Sequence, residues 1–289
     1  MNYFLTGGTG FIGRFLVEKL LARGGTVHVL VREQSQDKLD KLRERWGADE
    51  TQVKAVIGDL TSKNLGIDAK TMKALKGKID HFFHLAAVYD MGADEEAQQA
   101  TNIEGTRAAV NAAEAMGAKH FHHVSSIAAA GLFKGIFRED MFEEAEKLDH
   151  PYLRTKHESE KVVREECKVP FRIYRPGMVI GHTATGEMDK VDGPYYFFKM
   201  IQKIRHALPQ WVPTIGVEGG RLNIVPVDFV VNAMDHIAHL EGEDGKCIPI
   251  RTRLAKFSTF SARLVTHPGW GCGSIPACSA LFRHSFARA

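Results

Sequence analysis

The sequence predicts an α/β fold, a doubly wound parallel sheet with a smaller C-terminal substrate lobe, and two observations carry that reading. Short β-branched or aromatic runs alternate with longer helical patterns through the first 176 residues, the pattern of right-handed βαβ units covered on both faces. Glycines at three-residue intervals stand where the first such run gives way to the first helix, in "TGGTGFIGRF". At 289 residues, 44% hydrophobic and 25% charged, the chain can bury a large core.

Taken in order, "NYFL" is the first strand and a helix follows from Phe11 to Arg23. "TVHVLV", a charged helix near Asp37 to Trp46, "VKAVIG", a short helix near Ala69 to Leu75 and "IDHFFHLA" continue the alternation. One long Ala-rich helix is predicted from Glu95 to Met116, then "KHFHHVSS", a loop, a helix from Tyr152 to Glu166 and "FRIYRP". Residues 1–176 read as the nucleotide-binding domain, 177–250 as the substrate lobe and 251–289 as an atypical tail.

The glycines Gly7, Gly10 and Gly13 follow a strand and open a helix, which is where a pyrophosphate is cradled. Gly7 allows the turn, Gly10 lets the phosphates approach the backbone, and Gly13 lets helix and sheet close up. N–H groups without helical partners at the helix start then meet the phosphate charge. Without that context the same spacing would be an ordinary strand-to-helix turn.

At the end of the second strand an acid favours NAD and an arginine the 2′-phosphate of NADP. Here Val31 holds the end position and Arg32 follows, so NADPH is expected and NAD is the less favoured cofactor, with Glu33 as the rival acid. Asp59, closing the third strand in "VIGDL", fits an acceptor for the adenine amine or, more simply, a helix cap.

Tyr152 and Lys156 stand four apart and share a helix face. Moving a tyrosine pKa from about 10 to near 7 takes about 4 kcal/mol, which a neighbouring ammonium and a cationic nicotinamide can supply. A serine hydroxyl from "VSS" would complete a donor pair for a carbonyl oxygen.

In their order and distances these motifs resemble the extended short-chain dehydrogenase/reductases over roughly Met1 to Ile250, which implies a Rossmann fold. "TGGTGFIG" is similar to the family's glycine motif and implies cofactor contacts from Gly7, Thr9, Gly10, Phe11, Ile12 and Gly13. "GDL" implies an adenine contact from Asp59 and Leu60; "HLAA", His84 to Ala87, lays Ala86 and Ala87 along the cofactor; "TNIEGT" places Asn102. "YRPGMVIG" resembles the loop beside the nicotinamide and adds Pro176, Gly177 and Val179. The family's catalytic serine lies five residues before a glycine. Gly131 therefore selects Ser126, with Ser125 as the alternative.

The resemblance implies hydride transfer to a carbonyl carbon. Ser126 would polarise the oxygen, Tyr152 would donate the proton, and Lys156 would hold the ribose and depress the tyrosine pKa. "VHVLVR" and "LNIVPVDFVVNAM", Leu222 to Met234, look like the NADPH-dependent reductases of fatty acyl-CoA and other thioesters. "GPYYFFKMIQKI", Gly193 to Ile204, is aromatic and apolar with scattered lysines, suiting an acyl chain or an amphipathic core helix. Alternatives are a sugar-nucleotide epimerase or dehydratase, a hydroxysteroid-type dehydrogenase and, in another class, a non-catalytic NADPH sensor. The family also implies a homodimer through the long helices.

Other features bear on what is excluded. "HFHHV", with His81 and His84, has too many histidines on opposing strand faces for a metal site. The four cysteines have no metal-ligand spacing and read as reduced thiols. No apolar run reaches membrane-span length, and the N-terminus carries no basic leader, so a soluble, cytoplasmic protein is expected. Glu139, Asp140, Glu143, Glu144 and Glu146 read as a solvated face, or as a lid.

The net charge of +3 belongs to the tail. From Arg251 onward there are six Lys or Arg and no acid, so residues 1–250 carry 3 − 6 = −3 and show no footprint for nucleic acid. An abrupt loss of acids at Arg251 is what a reading-frame error would produce; a basic, Ser-rich, partner-binding tail is the rival reading.

Overall fold

β1 (Asn2–Thr6) is an interior strand of the main sheet, where Tyr3, Phe4 and Leu5 are apolar on both faces and fully buried. The computed structural model describes residues 1–88, 94–189, 221–251 and 255–256. Around β1 lie β2 (Thr26–Val31), β3 (Val53–Ile57), β4 (His81–His84), β5 (His120–Val124), β6 (Phe171–Pro176) and β10 (Cys247–Ile250). The spatial order is β10-β6-β5-β4-β1-β2-β3, with every pair parallel. β1 pairs with both β2 and β4, so chain direction across the sheet reverses there, and ligands of such sheets bind beyond the carboxyl ends at that switch point.

Phe4, Phe82 and Phe121 stack across three adjacent strands, with ring centroids 4.7 and 5.4 Å apart. They join Val56, Leu75, Val110 and Met116 in one core beneath α3 (Ala69–Leu75) and α5 (Gly105–Met116). Each ring buried there contributes about 2 kcal/mol. The opposite face carries Tyr3, Phe83 and Tyr174 among histidines. His81 Nδ1 and His122 Nε2 are 3.0 Å apart, and His122 Nδ1 lies 3.0 Å from the Tyr174 hydroxyl. Hydrogen bonds occupy these imidazoles, and among the described residues no His, Cys, Asp or Glu group is arranged to hold a metal ion.

α1 (Phe11–Ala22) and α2 (Gln36–Trp46) follow their strands as expected. The predicted single helix from Glu95 to Met116 is a correction: α4 (Glu95–Gln98) passes into a π-helical turn over Gln99–Glu104 before α5. Gly105 lies so close to Leu60 that a Cβ would stand 2.8 Å from Leu60 Cγ. The wider turn rotates Asn102 to a buried position, and such turns collect at functional sites. α6 (Pro151–Glu166) starts with proline, and the His150 imidazole accepts from Tyr152 N–H.

Two compact units divide the chain: Met1–Gly177 with Phe229–Ile250, and Met178–Asp228 with the residues from Arg251 onward. This differs from a lobe running over 177–250, because β10 is the edge strand of the main sheet. The cause is packing. Arg172 donates to Asp244 at 2.9 Å and to the Leu240 carbonyl at 2.7 Å, and Arg23 grips Asp235 through two bonds of 2.7 and 2.9 Å. In the second unit β7 (Met178–Ile180) pairs in parallel with β9 (Ile224–Pro226), and β8 (Arg221–Leu222) pairs antiparallel with β11 (Ala255–Lys256). α7 (Val227–Ala238) begins there, with Asp228 accepting from Thr183 N and Oγ1. "GPYYFFKMIQKI" and most of the acid-free tail lie outside the described residues. No described helix is long and apolar enough to cross a membrane.

Candidate active site

The turn after β1 is built for close approach. Gly7 sits at φ +73°, and a Cβ there would stand 2.7 Å from the Ala86 nitrogen. A Cβ on Gly13 would overlap the Gly7 carbonyl oxygen, so only glycine lets α1 pack against the turn. A Cβ on Gly10 would meet only that oxygen, at 3.2 Å, and otherwise open space. The first helical bond of α1 runs from Arg14 N–H to the Gly10 carbonyl, which leaves the Phe11, Ile12 and Gly13 N–H groups at the mouth without helical partners. These groups fit a pyrophosphate.

Thr6 ties this turn to the segment opposite. The Ala86 N–H donates to Thr6 Oγ1 at 3.4 Å, and Thr6 Oγ1 lies 2.7 Å from His84 Nδ1. His84 Nε2 lies 3.1 Å from Thr106 Oγ1, whose proton goes to the Asn102 carbonyl at 2.6 Å. That last bond sets the direction of the rest: Thr106 accepts from Nε2–H, and Nδ1 accepts from Thr6. His84 is therefore one neutral tautomer; its pKa is pushed down to about 3 by burial and by the charge on Lys156. Asn102 accepts from Val88 N–H at 2.8 Å and donates to the Val88 carbonyl and to Thr155 Oγ1. Its amide holds Ala87's neighbour in place, a role in shaping the groove.

At the carboxyl ends of β2 and β3, Val31 is buried and Arg32 is exposed, with its charge in the field of Asp59. Asp59 Oδ1 accepts from both Thr61 N and Oγ1, chiefly the hydroxyl, which holds its carboxyl below the usual range. So Asp59 closes a local turn while Oδ2 makes no hydrogen bond to a described residue. Leu60 packs against Gly105 beside it.

One face of α6 presents Tyr152, Lys156 and Glu160 at successive turns. The adjacent serines divide between them: Ser125 Oγ donates to Glu160 Oε2 at 3.1 Å, while the Ser126 side chain lies close enough to Tyr152 to lower the pKa of its hydroxyl. Ser126 Oγ also accepts from Ala128 N–H at 3.1 Å, opening the helical turn Ile127–Ala130. That turn ends at Gly131, φ +62°, where a side chain would overlap the Glu146 carbonyl. His157 anchors it through the Ala129 carbonyl at 3.0 Å and stacks on Phe142.

Burial raises the Tyr152 pKa, and the neighbouring Ser126 offsets only part of that rise. In the chain alone desolvation of the phenolate dominates, so the phenol stays protonated. Lys156, 5% exposed, is pushed down to about 8 by burial. His123 lies beside it, its pKa driven well below 6.5 by burial, by His84 and by Lys156; neither ring nitrogen has a hydrogen-bond partner.

Glu160 was not singled out in the sequence. It is 0% exposed and grips Arg175 through bonds of 2.6 and 3.0 Å, with Arg164 at 2.9 Å. Burial would raise its carboxyl, but the two guanidiniums outweigh that and hold it below its ordinary value. Arg175 also donates to the Arg138 and Met141 carbonyls, fixing the acidic loop. Met141 and Phe142 anchor that loop, and Glu139, Asp140, Glu143, Glu144 and Glu146 are exposed. Pro176 and Gly177 are buried at the end of β6, where Gly177 N–H donates to the Ile250 carbonyl. Val179 belongs to the second unit, in β7.

Fold and site together define a dinucleotide-binding, extended short-chain dehydrogenase/reductase. The chain belongs to the Male sterility protein family, whose profile matches residues 5–234. The non-canonical nonribosomal peptide synthetase FrzA of Cladobotryum sp is 31% identical over 258 residues, covering 81% of this chain and 24% of that one. The fatty acyl-CoA reductase wat of Drosophila melanogaster is 26% identical over 279 residues, 80% of this chain and 52% of that one. The chain thus spans about a quarter and about half of these relatives. Among solved structures, the terminal R domain from the myxalamid PKS-NRPS biosynthetic pathway is 26% identical with a TM-score of 0.77, covering 91% of this chain and 68% of that chain.

Proposed function

We propose that the chain is an NADPH-dependent reductase of acyl thioesters, releasing an aldehyde and a thiol. The observation that carries this reading is the division of the serines: Ser125 is bonded to Glu160, which leaves the Ser126 hydroxyl to act beside Tyr152, one helical turn from buried Lys156. NADPH, when bound, supplies the hydride for the carbonyl carbon. Ser126 and Tyr152 hold the carbonyl oxygen, and Tyr152 transfers its proton to that oxygen as the carbon is reduced; the new hydroxyl then gives up its proton as the C=O bond re-forms and the C–S bond breaks, and the sulfur takes up a proton to leave as a thiol. A phenol with a raised pKa is a stocked proton donor at neutral pH. Lys156 faces the ribose position, and the Gly10 opening with the α1 N-terminus takes the pyrophosphate. Arg32, with Val31 where an acid would stand, supports NADPH over NADH. Thioester specificity is supported by the relative named for fatty acyl-CoA reduction and by the likeness to the terminal R domain of a PKS-NRPS pathway.

The test is NADPH absorbance followed against a fatty acyl-CoA, a fatty aldehyde, a steroid ketone and a UDP-sugar. Oxidation with acyl-CoA that disappears in Tyr152→Phe is expected. NADPH binding without turnover of any of the four would overturn the proposal in favour of a sensor.

A further inference from the structure

A second recess, of about 350 Å³, opens at the other end of the sheet, beneath α3 and across β1, β2 and β3. It is lined by Asn2, the first residue of β1, and by His28 and Lys54 in register with Phe4, whereas the glycine turn follows Thr6, the last residue of β1. Phe4, His28 and Lys54 are aligned across the three strands, so His28 and Lys54 share a sheet face. Thr71, Ala74 and Leu75 close the recess from α3, and Lys78 follows that helix. Its wall is aliphatic, from Val56, Ala74 and Leu75, and its polar groups are Asn2, His28, Lys54, Thr71 and Lys78, with no carboxylate among them. The acid nearest in sequence to that wall, Asp80, is held by Lys119 at 2.7 Å and by the Asn2 N–H.

His28 makes this recess more than a gap. It is 9% exposed, lines the recess, and its ring nitrogens hydrogen-bond no described residue. Its nitrogens remain open to solvent, so a ligand in the recess can take a hydrogen bond from the ring. Burial first, and then the charges of Lys54 and Lys78, lower its pKa to about 4, so both cations act on the ring.

We propose that this recess is an anion-binding site, separate from the cofactor groove, for a small organic acid whose carboxylate or phosphate lies between Lys54, Lys78 and His28 and whose short apolar stem lies on Val56 and Leu75. The proposal uses residues of the first unit alone and does not depend on the reductase reading.

Histidine-ring and amide NMR of the full chain, titrated with inorganic phosphate and with hexanoate, tests it. The Gly10 amide reports separately on the cofactor groove. Saturable shifts at His28 and Thr71 are expected, with hexanoate binding tighter than phosphate and with an upward shift of the His28 pKa. Lys54→Ala with Lys78→Ala should weaken binding by roughly tenfold, and Arg32→Ala should leave it unchanged. Shifts confined to Gly10, no saturable shift with either probe, or shifts that survive removal of both lysines would overturn the site. Equal binding of the two probes would overturn the apolar stem and leave an inorganic-anion site. His28→Asn, which keeps a donor, should bind more tightly than His28→Leu if the ring contacts the anion.

Discussion

Ser125 donates to the buried Glu160 carboxylate at 3.1 Å, so its hydroxyl is committed to structure while its neighbour Ser126 reaches Tyr152. The two serines should fail differently. Ser126→Ala is expected to lower kcat by about a hundredfold with little change in melting temperature. Ser125→Ala is expected to cost about 1–3 kcal/mol of stability and to spare kcat in the molecules that fold. Parallel turnover and urea-unfolding measurements separate them.

Glu160 and Arg175 should behave as a unit. Glu160→Ala leaves a buried guanidinium without its carboxylate and is expected to cost about 3–5 kcal/mol, whereas Glu160→Met with Arg175→Met should recover most of it. Because the folded carboxyl is held low, the pair's contribution is fully present above the unfolded pKa of about 4.5 and is lost as pH falls through the lowered folded value. Urea midpoints across that acid range check the sign.

Lys156 has a pKa of about 8, lowered by burial, so its ammonium is lost as pH rises through that value. NADPH affinity is expected to fall over the same interval. In Lys156→Met the affinity should be lower and flat with pH, as read from nucleotide fluorescence.

The buried histidines predict acid lability. His81 and His84 sit near 3 and His28 near 4, chiefly through burial, against an ordinary 6.5. Each stays neutral when folded and takes a proton when unfolded. Stability is therefore full above pH 6.5 and falls below it by about 1.4 kcal/mol per pH unit for each histidine, until the folded group also titrates. His123→Phe, which removes two unpartnered nitrogens, should flatten the slope and raise the melting temperature.

Arg32 should carry cofactor choice. Arg32→Ala is expected to weaken NADPH by about 10–100-fold while changing NADH little, in a direct comparison of Kd values.

Local pattern exposed much of this molecule. The strand runs are apolar on both faces because the sheet is covered on both faces, and Gly7, Gly10 and Gly13 announce a turn that admits no Cβ. Tyr152 and Lys156 were legible from their shared helix face. Other features depend on partners distant in the chain. The π-helical turn at Gln99–Glu104 answers to Leu60, some forty residues earlier. Glu160, four residues past a lysine, has the look of a surface ion pair until Arg175 arrives from β6. The rise in the Tyr152 pKa comes from burial, which is a property of the fold. A strand at Cys247–Ile250 is too short and isolated to be assigned to a sheet before Arg172 and Asp244 are seen to bring it there.

The run of hydrogen bonds from Ala86 through Thr6, His84 and Thr106 to Asn102 has a consequence for which substitutions the chain tolerates. Every proton in it has one allowed direction, so a single replacement orphans a neighbour on each side. In a saturation-mutagenesis library, Thr6, His84 and Thr106 should each look intolerant when varied alone. Varied together, as in Thr6→Val with His84→Phe and Thr106→Val, they should trade places with an apolar solution of similar shape. Drift at this crossing would then proceed by rare coordinated jumps, and the three positions would be inherited as one character.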